Sequence, residues 1–368
     1  MHRIAQSWLV LQITGDARML GFVVAAQFAP MLFLAPWAGV LADRYDRRRL
    51  LQWTQIGMGL QALALGLLTL SGHASGALVL LFAAILGIVT ALDGPARQSI
   101  VSDLVPADQV VNAVALNSAN FNAARLVGPA VAGLMIAAWG PGWVFLVNAA
   151  TFAAMYAALT RIRLTRREGA RRTGGLRDGL RYVRGRPDLW FVIGTAGAVA
   201  MLVFNFPITI ALMVTDQFGA DARSYGVLAS LMAVGSLAAA LVAARRGRTD
   251  LKLVALAAVA AGGTVITAGV MPSVPTFAAA LVACGAAALT MMTAANSYLQ
   301  THSDTEHRSR VMALYMAVFF GTTPAGAPLI GLLADDFGAR AAMVVPGMVS
   351  LVVTAGLVAA YLWARRRA

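Results

Sequence analysis

Gly39-Val40-Leu41-Ala42-Asp43-Arg44-Tyr45-Asp46-Arg47-Arg48-Arg49 lies between two long apolar runs, 19–42 and 51–70. Each run is long enough to cross a bilayer as a helix, since a hydrocarbon core of ~30 Å takes about 20 helical residues. The eight residues 43–50 between them allow only a short turn, so the two helices are antiparallel neighbours. Arg44, Arg47, Arg48 and Arg49 in so short a loop place it on the cytoplasmic side. Gly39 permits close approach at the end of the first helix. Asp43 is placed to answer the partial positive charge at a neighbouring helix N-terminus, or to accept from an arginine.

The whole chain reads as the surroundings of that loop. Of 368 residues 59% are hydrophobic and 12% charged, with a mean hydropathy of +0.73. That charged fraction is about half of what soluble domains carry, so the bilayer is the main solvent and the fold class is an all-α membrane protein. Spans are expected at 19–42, 51–70, 77–96, 111–138, 143–160, 189–213, 225–244, 251–271, 274–299, 309–334 and 339–363, eleven in all. The apolar piece 4–13 reaches only ~15 Å at about 1.5 Å per residue and is a partial twelfth. With loops alternating between sides, 24 of the 29 Lys+Arg fall on one side, including Arg365, Arg366 and Arg367. Three, Arg18, Arg223 and Arg340, fall on the other. This split expresses the positive-inside rule. It accounts for the net charge of +13 as orientation, sets nucleic acid aside as a partner, and puts the C-terminus in the cytoplasm. The single Cys284 allows no disulfide within the chain. No metal-ligand spacing, nucleophile–base pair or phosphate loop appears, so neither metal, cofactor nor enzyme activity is expected.

The opening loop resembles the signature of the major facilitator superfamily, Gly-x-x-x-Asp-Arg-x-Gly-Arg-Arg, between its second and third helices. Gly39, Asp43, Arg44, Arg47 and Arg48 match, while Asp46 stands where most members have glycine. That departure resembles the branch of enterobactin-exporter-like and macrolide-exporter-like efflux proteins, of the transmembrane secretion effector type. A loop that sets topology alone is the plainer reading. The resemblance implies two six-helix bundles, here 1–160 and 189–368, joined by a basic cytoplasmic linker, 161–188. It also implies that a tail and half a helix precede Met1.

Along the chain, Pro30 and Pro36 bend the second helix, whose Gln27 faces a cavity or makes a packed hydrogen bond. Asp93 is the one acid inside the expected spans. Gly94-Pro95 is expected to break the helix there, leaving Asp93 at the inner rim to pair with Arg97 or with the arginines after helix 2. Such a pair is either a gate latch or a fixed salt bridge. Helix 5 carries Ser118, Asn122 and Arg125 on one face at i, i+4, i+7. Arg125 lies near mid-membrane, where a charge is costly. It either serves an anionic group or proton site, or is satisfied structurally by carbonyls. Gly128, Pro129 and Gly133 resemble the Gly-Pro-x-x-Gly-Gly antiporter motif of drug–proton antiporters, with Ala132 in place of a glycine. The linker has ten arginines against Glu168, Asp178 and Asp188 and is expected to lie on lipid headgroups.

The second half echoes the first at an offset of 198: Gly87 falls on Gly285, Gly128 on Gly326, Gly133 on Gly331 and Gly140 on Gly338. Arg125 falls on Thr323 and Asp93 on Met291. Parallel repeats of this kind are a transporter feature. Asn205, Asn296 and Thr323 are further candidates for a substrate or proton pathway. With no ATP-binding sequence, the expected function is gradient-driven export of small amphipathic molecules such as drugs or siderophores, by a monomer in the inner membrane. A lipid or lysophospholipid flippase on the same fold is the alternative.

Overall fold

The computed structural model describes residues 1–106, 109–162, 176–245, 249–304 and 306–367. Every regular element among the described residues is helical. The first half holds α1 His2–Thr14, α2 Ala17–Arg44, α3 Arg47–Leu70, α4 Gly76–Asp103, α5 Val110–Trp139 and α6 Pro141–Arg161. A short amphipathic α7, Leu176–Arg184, stands in the linker. The second half holds α8 Pro187–Leu202, α9 Phe206–Leu212, a π-helical turn Met213–Gln217, α10 Ala222–Ala244, α11 Leu251–Gly269, α12 Val274–His302, α13 Arg308–Phe337 and α14 Ala341–Arg367. Among the described residues ten stretches are long and apolar enough to cross a membrane, with a shorter one at Leu126–Trp139.

The helices start and stop where local chemistry dictates. Asp46 accepts from the backbone N–H of Arg48 (2.8 Å) and Arg49 (3.2 Å) and caps α3. Asp250 accepts from Leu253 N–H at 2.9 Å and caps α11. Side-chain oxygens at these positions satisfy amide groups that the first turn leaves free. Ser273 and Thr276 form a capping box at α12. Asp221 takes the backbone N–H and the hydroxyl of Ser224 at 2.9 and 2.8 Å. The backbone bond first, then the hydroxyl, holds its carboxyl below the ordinary carboxylate value. The stability this adds is present above that ordinary value and is lost as pH falls through the lowered one.

Two expected spans are corrected. The helix expected to end at Gly94-Pro95 runs on as α4 to Asp103. A proline removes one backbone bond, and the Asp93–Arg97 ion pair bridges the turn that contains it. The span 189–213 is interrupted: α8 ends at Leu202 and α9 restarts at Phe206. Pro207 has no N–H to continue a ladder but is tolerated in a first turn, and Asn205 occupies the cap position.

The residues group into two compact units, Met1–Arg171 with Asp221–Val227, and Arg172–Ala220 with Leu228–Ala368. In the first, a methyl group on Gly87 of α4 would stand 2.7 Å from the Ala26 carbonyl oxygen of α2. One on Gly66 of α3 would stand 2.9 Å from Leu146 of α6. The second unit repeats both crossings. Gly285 of α12 meets the Met232 carbonyl of α10, and Gly262 of α11 meets Leu351 and Gly347 of α14. In a membrane such small residues let helices approach and gain dispersion contact. The offset of 198 recurs in the backbone: α5 and α13 each have 30 residues, and they end on Gly140 (φ 85°, ψ 167°) and Gly338 (φ 84°, ψ 166°). Only glycine adopts that conformation without strain.

Candidate functional site

The arginine-rich loop is shorter than expected, because α2 continues to Arg44 and only Tyr45 and Asp46 separate it from α3. Gly39, Asp43 and Arg44 therefore lie in the last turns of α2; their side chains are outside the described residues. Arg48 donates through Nη2 to the Thr160 carbonyl at 2.5 Å. A guanidinium there meets the electronegative end of α6. Asp46 is explained by its cap, which gives α3 a fixed start directly after the turn. Asp46→Ala is expected to cost about 1 kcal/mol and Asp46→Gly only a few tenths, measurable as a shift in the thermal unfolding of detergent-solubilised protein.

Beneath that loop sits an ionic cluster. The Asp93 side chain is buried, 5% exposed. Its Oδ1 accepts from Thr54 Oγ1 at 2.7 Å and from Gln55 Nε2 at 3.0 Å, both on α3. Its Oδ2 accepts from Arg97 Nε at 2.6 Å, and Arg97 Nη2 reaches Oδ1 at 3.3 Å. Leu51, Ala96, Ile100 and Leu159 pack an apolar cluster next to it. Three donor side chains around one carboxylate satisfy both its oxygens and tie α4 to α3. Of the partners the sequence left open, Arg97 is in contact.

Gln27 makes the packed hydrogen bond. Its Nε2 donates to Gln6 Oε1 at 2.9 Å, and Gln6 Nε2 donates to the Val79 carbonyl at 3.0 Å, a buried chain through α1, α2 and α4. On α5 the side chains of Ser118, Asn122 and Arg125 lie outside the described residues. Pro129 and Gly133 meet the first turns of α10 within the first unit. A methyl on Gly133 would stand 2.7 Å from the Ala222 carbonyl oxygen and from Gly226 Cα, and one on Gly226 would stand 2.6 Å from the Pro129 carbonyl oxygen. Trp8 of α1 stacks on Tyr225 nearby, with centroids 6.1 Å apart. Gly128 is looser: a methyl there would stand 4.0 Å from Met1.

In the second unit, Asn205 is buried at the helix break. Its Nδ2 donates to the Met201 carbonyl at 2.7 Å, and its Oδ1 has no hydrogen-bond partner. Asn296 accepts from Gln300, and Thr323 bonds the Phe319 carbonyl at 3.4 Å within its own helix. Among the described residues no hydrogen bond joins these three to one another.

Sequence reading missed Thr54, Gln55 and Gln6, whose signal was polar side chains inside apolar helices. It also missed a second ionic cluster. Arg186 forms a forked pair with Asp188 (3.0 and 2.8 Å) and donates to the His302 carbonyl at 3.1 Å. Tyr298 donates to Asp188 at 3.1 Å. Tyr182 of α7 donates to Asp304 at 2.8 Å and stacks on His307. These contacts fasten the linker helix to the ends of α8, α12 and α13.

The two-fold repeat, the glycine crossings and the caps around the arginine turn together form the frame of a known transporter class. The chain matches the family model described as transmembrane secretion effector over residues 1–365. It belongs to this major facilitator family. Among curated relatives of the family, the staphyloferrin A transporter of Staphylococcus aureus is 28% identical over 65% of this chain. The match spans 62% of that relative, so the chain aligns with less than two thirds of its length. The multidrug efflux pump Tap of Mycobacterium tuberculosis is 26% identical over 99% of this chain and 89% of that protein. Among solved structures, a bacterial homologue of the human lysosomal transporter Spinster, inward-facing and unoccupied, aligns with a TM-score of 0.77 at 19% identity over 99% and 94% of the two chains. The nucleoside transporter NupG aligns at 0.75 and 12% identity, over 98% and 94%. The fold is thus that of the major facilitator transporters, and the relatives of the chain are membrane transporters.

Proposed function

We propose that this transporter exports small amphipathic molecules, of the drug or siderophore kind, across the plasma membrane by alternating access driven by proton flow. The observation that carries the reading is the crossing of Pro129 and Gly133 on Gly226. It puts the antiporter-like stretch of α5 against α10 with backbones in contact, a pair able to slide or rock as a rigid body. The relatives named for staphyloferrin A and multidrug efflux support the substrate class. The protein acts as a monomer of two helix bundles, 1–160 and 189–368, joined by the linker 161–188. The arginine turn and the C-terminal Arg365–Arg367 face the cytoplasm in this reading, which the charge asymmetry supports. Gly39, Asp43, Arg44, Arg47 and Arg48 form the gating turn with Asp93 and Arg97, and Arg125 carries the mid-membrane charge.

The test is accumulation of dyes, macrolides and siderophores in pump-deficient bacterial cells expressing the chain, with and without an uncoupler. Export is expected to be uncoupler-sensitive and to fall at least tenfold in Asp43→Asn and in Arg125→Ala at equal membrane abundance. Well-inserted protein that moves nothing on the panel overturns the reading, and reconstituted lysolipid translocation is then the arm to run.

A further inference from the structure

Only Gly185 and Arg186 separate the linker helix α7 from α8, whose apolar span begins at Pro187. So short a link reaches at most about 10 Å, which keeps the last turn of α7 at the depth of the phospholipid headgroups. Trp190, exposed in the first turn of α8, marks the same level, where indole rings collect.

The helix has an inner and an outer side. At about 100° per residue, Tyr182 and Val183 share one side, and Leu180, Arg181 and Arg184 share the other. The inner side is held by the second unit. Val183 is buried, the Tyr182 hydroxyl donates to Asp304 at 2.8 Å, and Arg186 Nη1 donates to that hydroxyl at 3.3 Å. The outer side is exposed at Leu180, Arg181 and Arg184. An amphipathic helix at a membrane ordinarily turns its apolar side into the acyl chains. In α7 the protein itself covers Val183, so beyond Leu180 the helix offers charge outward.

That charge is uncommitted. Among the described residues neither Arg181 nor Arg184 forms an ion pair, whereas Arg186 is forked onto Asp188. Three positions apart, their Cβ atoms stand about 5–6 Å from one another on one helix face, so both guanidiniums can reach a single phosphate. By sequence the linker holds ten arginines against Glu168, Asp178 and Asp188, so the surrounding field is positive as well.

We infer that the outer side of α7 is a binding surface for anionic phospholipid, with the headgroup phosphate of one phosphatidylglycerol held between Arg181 and Arg184. A zwitterionic lipid offers the same phosphate but brings its own cation, which the arginines repel. The inference takes the linker as lying on the membrane face, and it does not require the chain to export anything, so failure of export and failure of this surface are read separately.

The test is equilibrium binding of acyl-labelled fluorescent phosphatidylglycerol to the full chain in a neutral detergent, with the matching phosphatidylcholine as the zwitterionic probe. The native chain should prefer phosphatidylglycerol by about tenfold or more. Arg181→Gln combined with Arg184→Gln should abolish that preference and leave phosphatidylcholine unchanged, in protein that elutes as folded. At an ionic strength of about 1 M, where charges are screened beyond ~3 Å, the native preference should vanish too. Arg223→Gln, at an exposed arginine in the first turn of α10, should keep it. Equal affinity of the native chain for the two lipids overturns the inference without any variant. So does a preference that survives the double substitution, or one that Arg223→Gln removes equally. Displacement of the lipid by glycerol 3-phosphate at matched concentration would mark a soluble phosphate ligand and overturn the lipid as the occupant.

Discussion

Gly285→Val is expected to prevent accumulation of folded protein. At this position the backbones of α12 and α10 are in direct contact, and the first added carbon would overlap the Met232 carbonyl oxygen. Gly235, on the facing side of the same crossing, is blocked in the same way by the Val282 carbonyl. A flexible side chain can turn away from an intruding methyl; a carbonyl inside a helix moves only if the helix moves. Overpacking of this kind costs about 1–3 kcal/mol even where side chains can adjust, and here the whole crossing must open. The loss is larger because membrane helices have little beyond close packing and hydrogen bonds to hold them together. Fluorescence-detected size-exclusion after mild heating is the measurement, and the monodisperse peak should be lost for Gly285→Val and for Gly235→Val. Gly356→Val in α14, where a methyl would meet nothing within 4 Å, should keep the peak. A normal peak for both crossing variants would refute the contact.

Removal of the Asp93 carboxylate has the second largest expected effect, and its variants separate by chemistry. Asp93→Asn keeps an oxygen that can accept from Thr54 and Gln55, but it presents an amide N–H to the Arg97 guanidinium, donor against donor. Asp93→Ala leaves the Gln55 amide unmet in a buried place and Arg97 without its anion, while Thr54 keeps the Leu51 carbonyl at 2.9 Å. Truncating one partner of a fully buried pair costs about 3–5 kcal/mol. The Arg97 side chain is 45% exposed, so water takes up part of that loss, and about 2–3 kcal/mol is expected for Asp93→Ala, with less for Asp93→Asn. Arg97→Ala should be the mildest, because the two α3 donors still hold the carboxylate. The order Ala, Asn, then Arg97→Ala in falling severity is the readout, by thermal unfolding and by export in the same cells. If Arg97→Ala proves as damaging as Asp93→Ala, the ion pair rather than the α3 bonds holds this corner.

The architecture was largely legible in the chain, because a bilayer imposes lengths and a charge asymmetry that composition records directly. The 198-residue echo was legible for a related reason: close helix crossings and positive-φ turns demand glycine, and Gly87, Gly285, Gly140 and Gly338 could not drift without breaking them. What composition does not record is continuity. The run 189–213 is apolar throughout, so hydropathy alone does not show the interruption between Leu202 and Phe206. The fragment Asn205-Phe206-Pro207 held the clue. Conversely, Gly94-Pro95 reads as a stop signal, yet α4 passes through it, tied across that turn by an ion pair whose strength depends on Thr54 and Gln55 some forty positions earlier. Partner choice was illegible for the same reason. Asp93 had several arginines within plausible reach, and Arg97 meets it one turn on because α4 continues through Gly94-Pro95. Asp46 is the opposite case, a departure from the family pattern whose meaning is local: an aspartate ahead of three arginines caps the helix they begin. Asp250 does the same for α11.

The matched endings of α5 and α13 carry a consequence for the history of the molecule. Two helices of equal length, closed by glycines with nearly identical torsion angles, indicate one ancestral segment copied once. Each copy then serves as a record of what the other has lost or gained. The crossings survive in both, so the geometry was inherited. Asp93 takes two donors from α3 and one from its own helix, whereas its counterpart Met291 is simply buried, so the polar chemistry diverged after the copying. Selection has kept the skeleton twice and tested ionic chemistry in one copy at a time.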